Sequence, residues 1–278
     1  MRKCKLCGSV KIGVLKKITS PINAFDYTLY QCQTCASAFF NLNEYPVDLK
    51  QMYDDFKDRA EFPLAHVSSN KWILEKQIAE KLIKKPIKSV LDVGCRTGDF
   101  LMHFDHQIKR EGVELSACFC EIAKKRGLTV HNDFLERIKF TSSFDLVSCY
   151  AILEHLEHPL VFLESLTSIV NKGGLLVIMI PYYFSLKRKV LPLLGKSWHM
   201  FTPPEHLNFY SGKFLDSYFR KKGFERVKRN YLSGGMYVFE KNNFMRKCEY
   251  GFNQIVDKTI LSKIPIFDHR YCYYIKKQ

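Results

Sequence analysis

Two Cys-x-x-Cys pairs stand near the start of the chain, Cys4 with Cys7 and Cys32 with Cys35, separated by 24 residues. Each pair makes a tight turn whose thiolates face one ion. Two such turns complete a tetrahedral sulfur shell with no open position, which predicts a structural zinc ion. A redox role for one pair is the alternative, and the occurrence of two pairs argues against it. A second group surrounds LDVGCRTGDFL (91–101), where Asp92 precedes Gly94 and a short loop leads to Gly98. Glu114 follows at a strand end, where a carboxylate can accept both hydroxyls of a ribose. Asp133 ends the next apolar run and is placed for an adenine amino group. The loop fails the GxGxxG dinucleotide template because Arg96 stands at the middle position, and no P-loop lysine motif is present. The third group is Glu154–His155 in AILEHLEHP and His206 in WHMFTPPEHLNFYS (198–211). A histidine titrates in the range of a general base, and Glu154 is placed to orient it or to bind substrate. Tyr182, Tyr183, Trp198 and Tyr210 are candidates to line an acceptor pocket; a packed aromatic lid is the alternative.

These residues need a scaffold that brings positions 92, 114, 133 and 154 to one edge. SVLDVG (89–94), EGVELS (111–116), LTVHND (128–133), FDLVSCYAI (144–152) and GGLLVIMIPY (173–182) read as strands. Helices are expected over 98–108, over 117–126 with Gly127 as its stop, and over 159–170 with an apolar stripe. This alternation folds as a doubly wound sheet that binds ligands at the strands' carboxyl ends. A helix near 212–222 capped by Ser211 follows, then a hairpin of FERVKRNYL (224–232) and MYVFEK (236–241). Between the cysteine pairs, VKIGVLKK and FDYTLYQC read as ribbon strands. A module of about 40 residues buries too little core to fold alone, so its metal would supply much of the folding energy. The expected organisation is a ribbon over 1–42, a helical connector over 43–85, and an α/β domain over 86–241 with a lid insertion near 183–211. A C-terminal extension over 242–278 has no role readable from its sequence.

Hydrophobic residues make up 46% of the 278 and aromatics 14%, which excludes global disorder. No apolar run reaches the roughly 18 residues of a membrane span, and MRKCKLC lacks the apolar core of a secretory signal. A cytoplasmic location is expected. The six remaining cysteines, Cys95, Cys118, Cys120, Cys149, Cys248 and Cys272, are scattered and read as free thiols. Net charge is +15 and uneven: +5 over 1–42, −2 over 43–179 and +12 over 180–278. The basic ends suit an anionic partner, whether a phosphorylated substrate, a membrane surface or RNA, although a solvated lysine-rich surface has the same composition. Residues 184–196, FSLKRKVLPLLGK, alternate basic and apolar. They could rest on a membrane surface or form a lid helix with solvated lysines.

LDVGCRTGDF, GVELS, HNDFLE, FDLVSCYAILEHLEHP and GGLLVIMIPY stand in the order and spacing of class I S-adenosylmethionine-dependent methyltransferases. The resemblance covers about residues 86–240. It implies a seven-stranded, Rossmann-like α/β sheet with the 224–241 hairpin as its last two strands, and S-adenosylmethionine as cofactor. It places the Asp92–Gly94 turn toward the methionine part, Glu114 by the ribose, and Asp133 with Phe134 by the adenine. Cys95, Arg96, Gly98, Leu115 and Tyr150 are further cofactor candidates in the same loops. Residues 1–42 resemble the zinc ribbon ahead of many bacterial methyltransferase domains, with Ala36 where glycine is more usual. Ribbon, Glu-His pair and the Pro204–Leu207 segment together resemble enzymes of sugar and surface-polysaccharide modification. That implies a small-molecule or glycan acceptor, such as a nucleotide- or lipid-linked sugar. An RNA methyltransferase is the alternative, weakened by the absence of an NPPY-type tetrad after the fourth strand. A non-enzymatic zinc-ribbon protein is a third reading, resting on Arg96 alone. The Arg96 side chain has three options: pairing with the methionine carboxylate or Asp99, turning away from the site, or spoiling it.

Overall fold

The computed structural model describes residues 3–41, 69–232, 255 and 259–278. The N-terminal segment forms three antiparallel strands, β1 (Ile12–Thr19), β2 (Asp26–Cys32) and β3 (Ala38–Phe40). After α1 (Ser69–Leu82) come β4 (Ser89–Val93), β5 (Lys109–Val113), α2 (Ala117–Lys125), β6 (Thr129–His131), β7 (Phe144–Tyr150), α3 (Pro159–Ser168) and β8 (Val170–Pro181). The chain continues through α4 (Leu186–Val190), β9 (Asn208–Phe209), α5 (Gly212–Lys221), β10 (Phe224–Leu232) and β11 (His269–Lys276).

The seven-stranded sheet runs β10-β11-β8-β7-β4-β5-β6. Strands β4 to β8 are parallel, and β11 is antiparallel to both neighbours. The chain winds outward from β4 in one direction through β5 and β6, then returns to β7 on the other side. The β4–β7 junction is therefore the switch point where ligands bind an open α/β sheet. Alternating side chains feed two cores. Val147, Leu176 and Tyr274 face the layer containing Leu163 and Phe219. Leu146, Leu175, Val177 and Tyr273 face Ala79, Cys120 and Ala123.

Two expectations are corrected. The helix expected over 98–108 is only a 3-10 turn at Leu101–His103. The Asp105 carboxylate accepts the Gln107 backbone N–H at 2.8 Å, a local bond that competes with helix continuation. The second correction concerns the seventh strand. MYVFEK (236–241) lies outside the described residues, and the antiparallel partner of β10 is β11, from the C-terminal tail. The tail is therefore part of the sheet. Its Tyr271, Cys272, Tyr273 and Tyr274 are buried on both faces, as an internal strand requires.

The ribbon does not end at its own strands. β9, from the lid insertion, pairs with β3 and completes a four-stranded sheet. Tyr27, Leu29, Ala38 and Phe40 pack in one core with Tyr183, Trp198, Phe201, Leu207 and Phe209. Among the described residues no helix is long and apolar enough to cross a membrane.

Candidate functional site

The four ribbon cysteines converge. Sγ atoms of Cys4 and Cys35 lie 3.8 Å apart, those of Cys7 and Cys32 3.5 Å apart, and all four are within 4.8 Å of one another. Bonds of about 2.3 Å to a tetrahedral zinc place sulfurs roughly 3.8 Å apart, so the spacing fits the ion. Both turns close alike. The Gly8 and Ala36 N–H groups each donate to the first cysteine's carbonyl at 2.8 Å, with φ of +73° and +61°. Ala36 thus holds the left-handed position that favours glycine.

At the carboxyl edge of β4, Asp92 is buried and accepts a hydrogen bond from Ser148 Oγ at 2.7 Å. Burial pushes its carboxyl up to about 7, and the Glu114 charge adds to the shift. Gly94 has φ +77°, and a Cβ there would meet Ile152 Cδ1 at 2.3 Å. Arg96 adopts φ +48°. Its backbone N–H donates to Glu114 Oε2 at 2.9 Å, while the Ser116 N–H holds Oε1 at 2.8 Å. The loop backbone therefore orients the Glu114 carboxylate, whose remaining lone pairs stay available. The Arg96 guanidinium lies 5.2 Å from the Phe119 ring centre. Pairing with Asp99 does not occur: Asp99 binds Arg126 at 2.5 Å. Cys95 is buried against Gly112, and Gly98 takes φ +81°. Leu115 and Phe134 are 41% and 42% exposed beside Glu114 and Asp133, apolar surface suited to a flat ring. Asp133 Oδ1 accepts the Phe134 N–H at 2.7 Å.

Tyr150 packs on Trp72 of α1 and on Phe100 of the loop after β4. Here lies a group that sequence reasoning missed. Glu75 is buried, accepts from Tyr273 Oη at 2.9 Å, and is pushed up to about 7 by burial. It sits on a helix reading WILEKQIAEKL, and nothing in the local pattern marks it.

A sharp turn at Ala151, φ +54°, carries the chain from β7 into a 3-10 turn at Leu153–His155. Glu154 is 1% exposed, and burial pushes its carboxyl up to about 8. The lid brings His206 to the same place. The Leu207 N–H donates to the Glu154 carbonyl at 2.7 Å, and Asn208 Nδ2 donates to the Leu156 carbonyl at 2.6 Å. The His155 and His206 rings are 4.9 Å apart, with His155 Nδ1 2.9 Å from the Glu205 carbonyl oxygen and His206 Nδ1 3.0 Å from that of Met200. Burial and the neighbouring His206 pull His155 down to about 3, and burial lowers His206 as well. Both rings are neutral at neutral pH. Between this cluster and the loop after β4, burial pushes the Cys149 thiol well up, and the Glu154 and Asp92 carboxylates add to the shift.

The aromatic candidates divide. Tyr183, Trp198 and Tyr210 are 7%, 2% and 0% exposed, packed into the ribbon–lid and sheet cores rather than lining an open wall. Two of them use their polar atoms internally: Trp198 Nε1 donates to Asp268 Oδ1 at 2.8 Å, and Tyr210 Oη to the Leu153 carbonyl at 2.7 Å. Tyr182 is half-buried, 4.9 Å from the Tyr231 ring. Two expected solvated cations of 184–196 turn inward: Lys187 pairs with Asp268 at 3.3 Å, and Arg188 stacks on Tyr183 at 4.1 Å. His269, at the start of β11, is pulled down to about 3 by burial, and the charges of Lys71 and Lys187 add to the shift. Neither Asp268 nor His269 carried a signal in the sequence, because both lie in the tail whose place in the sheet was unread.

Residues 69–229 match the family model of the methyltransferase domain. The chain is similar to an uncharacterized protein of Methanocaldococcus jannaschii, 27% identical over 166 residues that span 57% of this chain and 78% of that protein. It is also similar to a demethylmenaquinone methyltransferase of Alkalihalophilus pseudofirmus, 25% identical over 189 residues, 58% and 80% of the two chains. The solved structure of the N-methyltransferase NodS from Bradyrhizobium japonicum, in complex with S-adenosylhomocysteine, is 11% identical, with a TM-score of 0.53 over 84% of this chain and 100% of that one. At that identity the likeness is one of fold. With the family model matched over more than half its length, this chain belongs to the methyltransferase domain family and carries a class I S-adenosylmethionine-dependent methyltransferase domain.

Proposed function

We propose that the protein transfers a methyl group from S-adenosylmethionine to an anionic small-molecule or glycan acceptor, such as a nucleotide- or lipid-linked sugar. One observation carries this reading. The cofactor loop around Asp92, Gly94 and Glu114 meets the Glu154–His155–His206 cluster at the switch point between β4 and β7. When bound, S-adenosylmethionine supplies a methyl carbon made electrophilic by its sulfonium. The chain's own work is to align the acceptor with that carbon and to assist loss of its proton. Glu114, clamped by two backbone N–H groups, would hold the ribose, and Leu115 with Phe134 the adenine. Glu154, His155 and His206 are the acceptor-activating groups. Lys71, beside His269, and the basic balance of residues 180–278 support an anionic acceptor. Exposed Leu186, Leu193 and Leu194 of the lid insertion support a lipid-linked one, with peripheral membrane contact.

The ribbon cysteines hold a structural zinc in this reading, and its task is to anchor β9 and thereby His206. Titration with S-adenosylhomocysteine should show saturable binding, and its absence would remove the enzyme reading. With labelled cofactor, incorporation into nucleotide- or lipid-linked sugars but not into total RNA is the expected outcome. Labelling of RNA alone would overturn the acceptor assignment.

A further inference from the structure

The lid insertion carries an exposed apolar projection. Leu191 and Trp198 are buried in the ribbon–lid core, and every residue between them, 192 to 197, is exposed. Leu193 is 83% exposed, and Leu194 beside it is exposed as well. Leu186 and Val190 of α4 add to the apolar surface of the same segment. The C-terminal tail contributes a further residue. The Leu186 N–H donates to the Pro265 carbonyl at 2.8 Å, which brings the exposed Ile264 to this side. We propose that this projection docks the protein on an anionic lipid bilayer, with Leu193 and Leu194 entering the interface. The proposal rests on the reading of the acceptor as lipid-linked, and it names the surface and the residues that would make the contact.

Three observations support a bilayer. The first is charge. Residues 184–204 hold four Lys or Arg and no Asp or Glu, and residues 259–267 hold Lys263 and no acid. Asp268, the next acid in the chain, is buried and paired with Lys187. Exposed Lys189 and Lys263 thus lie on the same two segments as the apolar side chains. Apolar residues among cations are the combination that holds a peripheral protein on anionic headgroups. The second is shape. Leu191–Leu194 is a 3-10 turn ended by Gly195 at φ +66°. A leucine at the tip of so tight a turn projects outward. It offers little flat area to a folded partner, whereas the soft interface of a bilayer admits it. The tip also satisfies its own backbone: the Gly195 N–H donates to the Pro192 carbonyl at 3.1 Å, and the Lys196 N–H to that of Leu191 at 3.0 Å. Those groups therefore enter apolar surroundings already paired.

The third observation is placement. Pro181 ends β8 and stands opposite His269, the first residue of β11. Leu186 and Ile264 lie just beyond these two ends, off the carboxyl edge of the parallel strands. Asp92, Glu114 and Glu154 belong to that edge. A bilayer against the projection therefore faces the mouth of the candidate site, where the headgroup of a lipid-linked sugar can reach it, and not the opposite end of the sheet.

Sedimentation of the full-length protein with vesicles provides the test. One set contains phosphatidylglycerol and phosphatidylcholine in equal parts, the other phosphatidylcholine alone. The wild type should pellet with the anionic set and far less with the neutral one. Leu193→Asp combined with Leu194→Asp should weaken that partition by about tenfold or more, and Lys189→Glu combined with Lys263→Glu by a similar factor. Near-UV circular dichroism identical to wild type shows that the variants are folded. In Leu193→Trp, tryptophan emission should shift to the blue on addition of anionic vesicles, which reports the tip itself. A wild type that stays in solution with both sets would overturn the proposal. So would equal binding to the two sets, or leucine variants that pellet like wild type. A wild type that is dimeric in solution, monomeric once Leu193 is replaced by Asp and indifferent to vesicles would make the face a contact between copies and refute the bilayer. No acceptor and no methyl donor enter the measurement, so its failure leaves S-adenosylhomocysteine binding and methyl transfer to stand or fall separately.

Discussion

Arg96→Gly gives the sharpest test of how the cofactor loop works. The loop uses the backbone N–H of residue 96, which donates to Glu114 Oε2 at 2.9 Å; the side chain is directed at Phe119, 5.2 Å from its ring centre. Three effects then compete. A φ of +48° costs an L-residue about 1–2 kcal/mol, which glycine would recover. Glycine gives back about 0.5–1 kcal/mol through the larger entropy of its unfolded chain. Loss of the exposed cation–π contact costs roughly 0.5–1 kcal/mol more. The sum is close to zero, so urea denaturation of Arg96→Gly should give a stability within about 1 kcal/mol of wild type. Its S-adenosylhomocysteine affinity should stay within about tenfold, or ~1.4 kcal/mol. Arg96→Pro is the contrasting case. It removes the N–H, fixes φ near −65° and leaves Glu114 Oε2 without its donor, so a loss of roughly 3 kcal/mol or more is expected, with cofactor binding largely abolished. The reasoning fails if Arg96→Gly weakens binding far beyond tenfold, which would put the guanidinium on the cofactor. It also fails if Arg96→Pro binds normally.

Further outcomes follow from the same geometry. Ala36→Gly should stabilise the ribbon by up to about 1 kcal/mol and Gly8→Ala should destabilise it by about 1–2 kcal/mol, because both positions are left-handed; equal effects in thermal unfolding would contradict this. Glu75 has a folded-state pKa of about 7, above its ordinary 4.5. The folded carboxyl therefore holds its proton after the unfolded one has lost it, and wild-type stability falls as pH rises from about 4.5 to 7. The full penalty is on the order of 3 kcal/mol. Glu75→Gln should gain on wild type by that order between pH 5 and pH 8 in denaturant titrations, and parallel pH profiles would refute the assignment. Chelation of the ribbon metal, or Cys32→Ser, should expose Trp198, which is 2% exposed in the ribbon–lid core. In a Trp72→Phe background its emission should shift to the red and activity should drop; an unchanged spectrum would show that the ribbon does not hold the lid.

The parallel strands were readable because each is a short apolar run, and β4, β5 and β6 are closely followed by a glycine or a carboxylate. Asp92, Glu114 and Asp133 follow directly: a carboxylate at the carboxyl end of a strand is placed by the strand itself. The four-cysteine cluster was readable for a similar reason, since each Cys-x-x-Cys turn aims its own two thiols. The Glu154–His155 pair was visible as chemistry but not as geometry.

What the sequence by itself determined is therefore local: strand cores, turn chemistry, the paired-cysteine turns and the glycine loop after β4. Tertiary structure alone decided which distant segments meet. It set β11 beside β10, because strand pairing across a long connection leaves no local periodicity to read. It also joined β9 to the ribbon and so delivered His206 to Glu154. It buried Tyr183, Trp198 and Tyr210, whose amphipathic rings suit a pocket wall and a core equally well until the partner surface is known. It turned Glu75 inward, where burial rather than residue type raises its proton affinity. Burial and long-range contact belong to the assembled layers, and no window along the chain contains them.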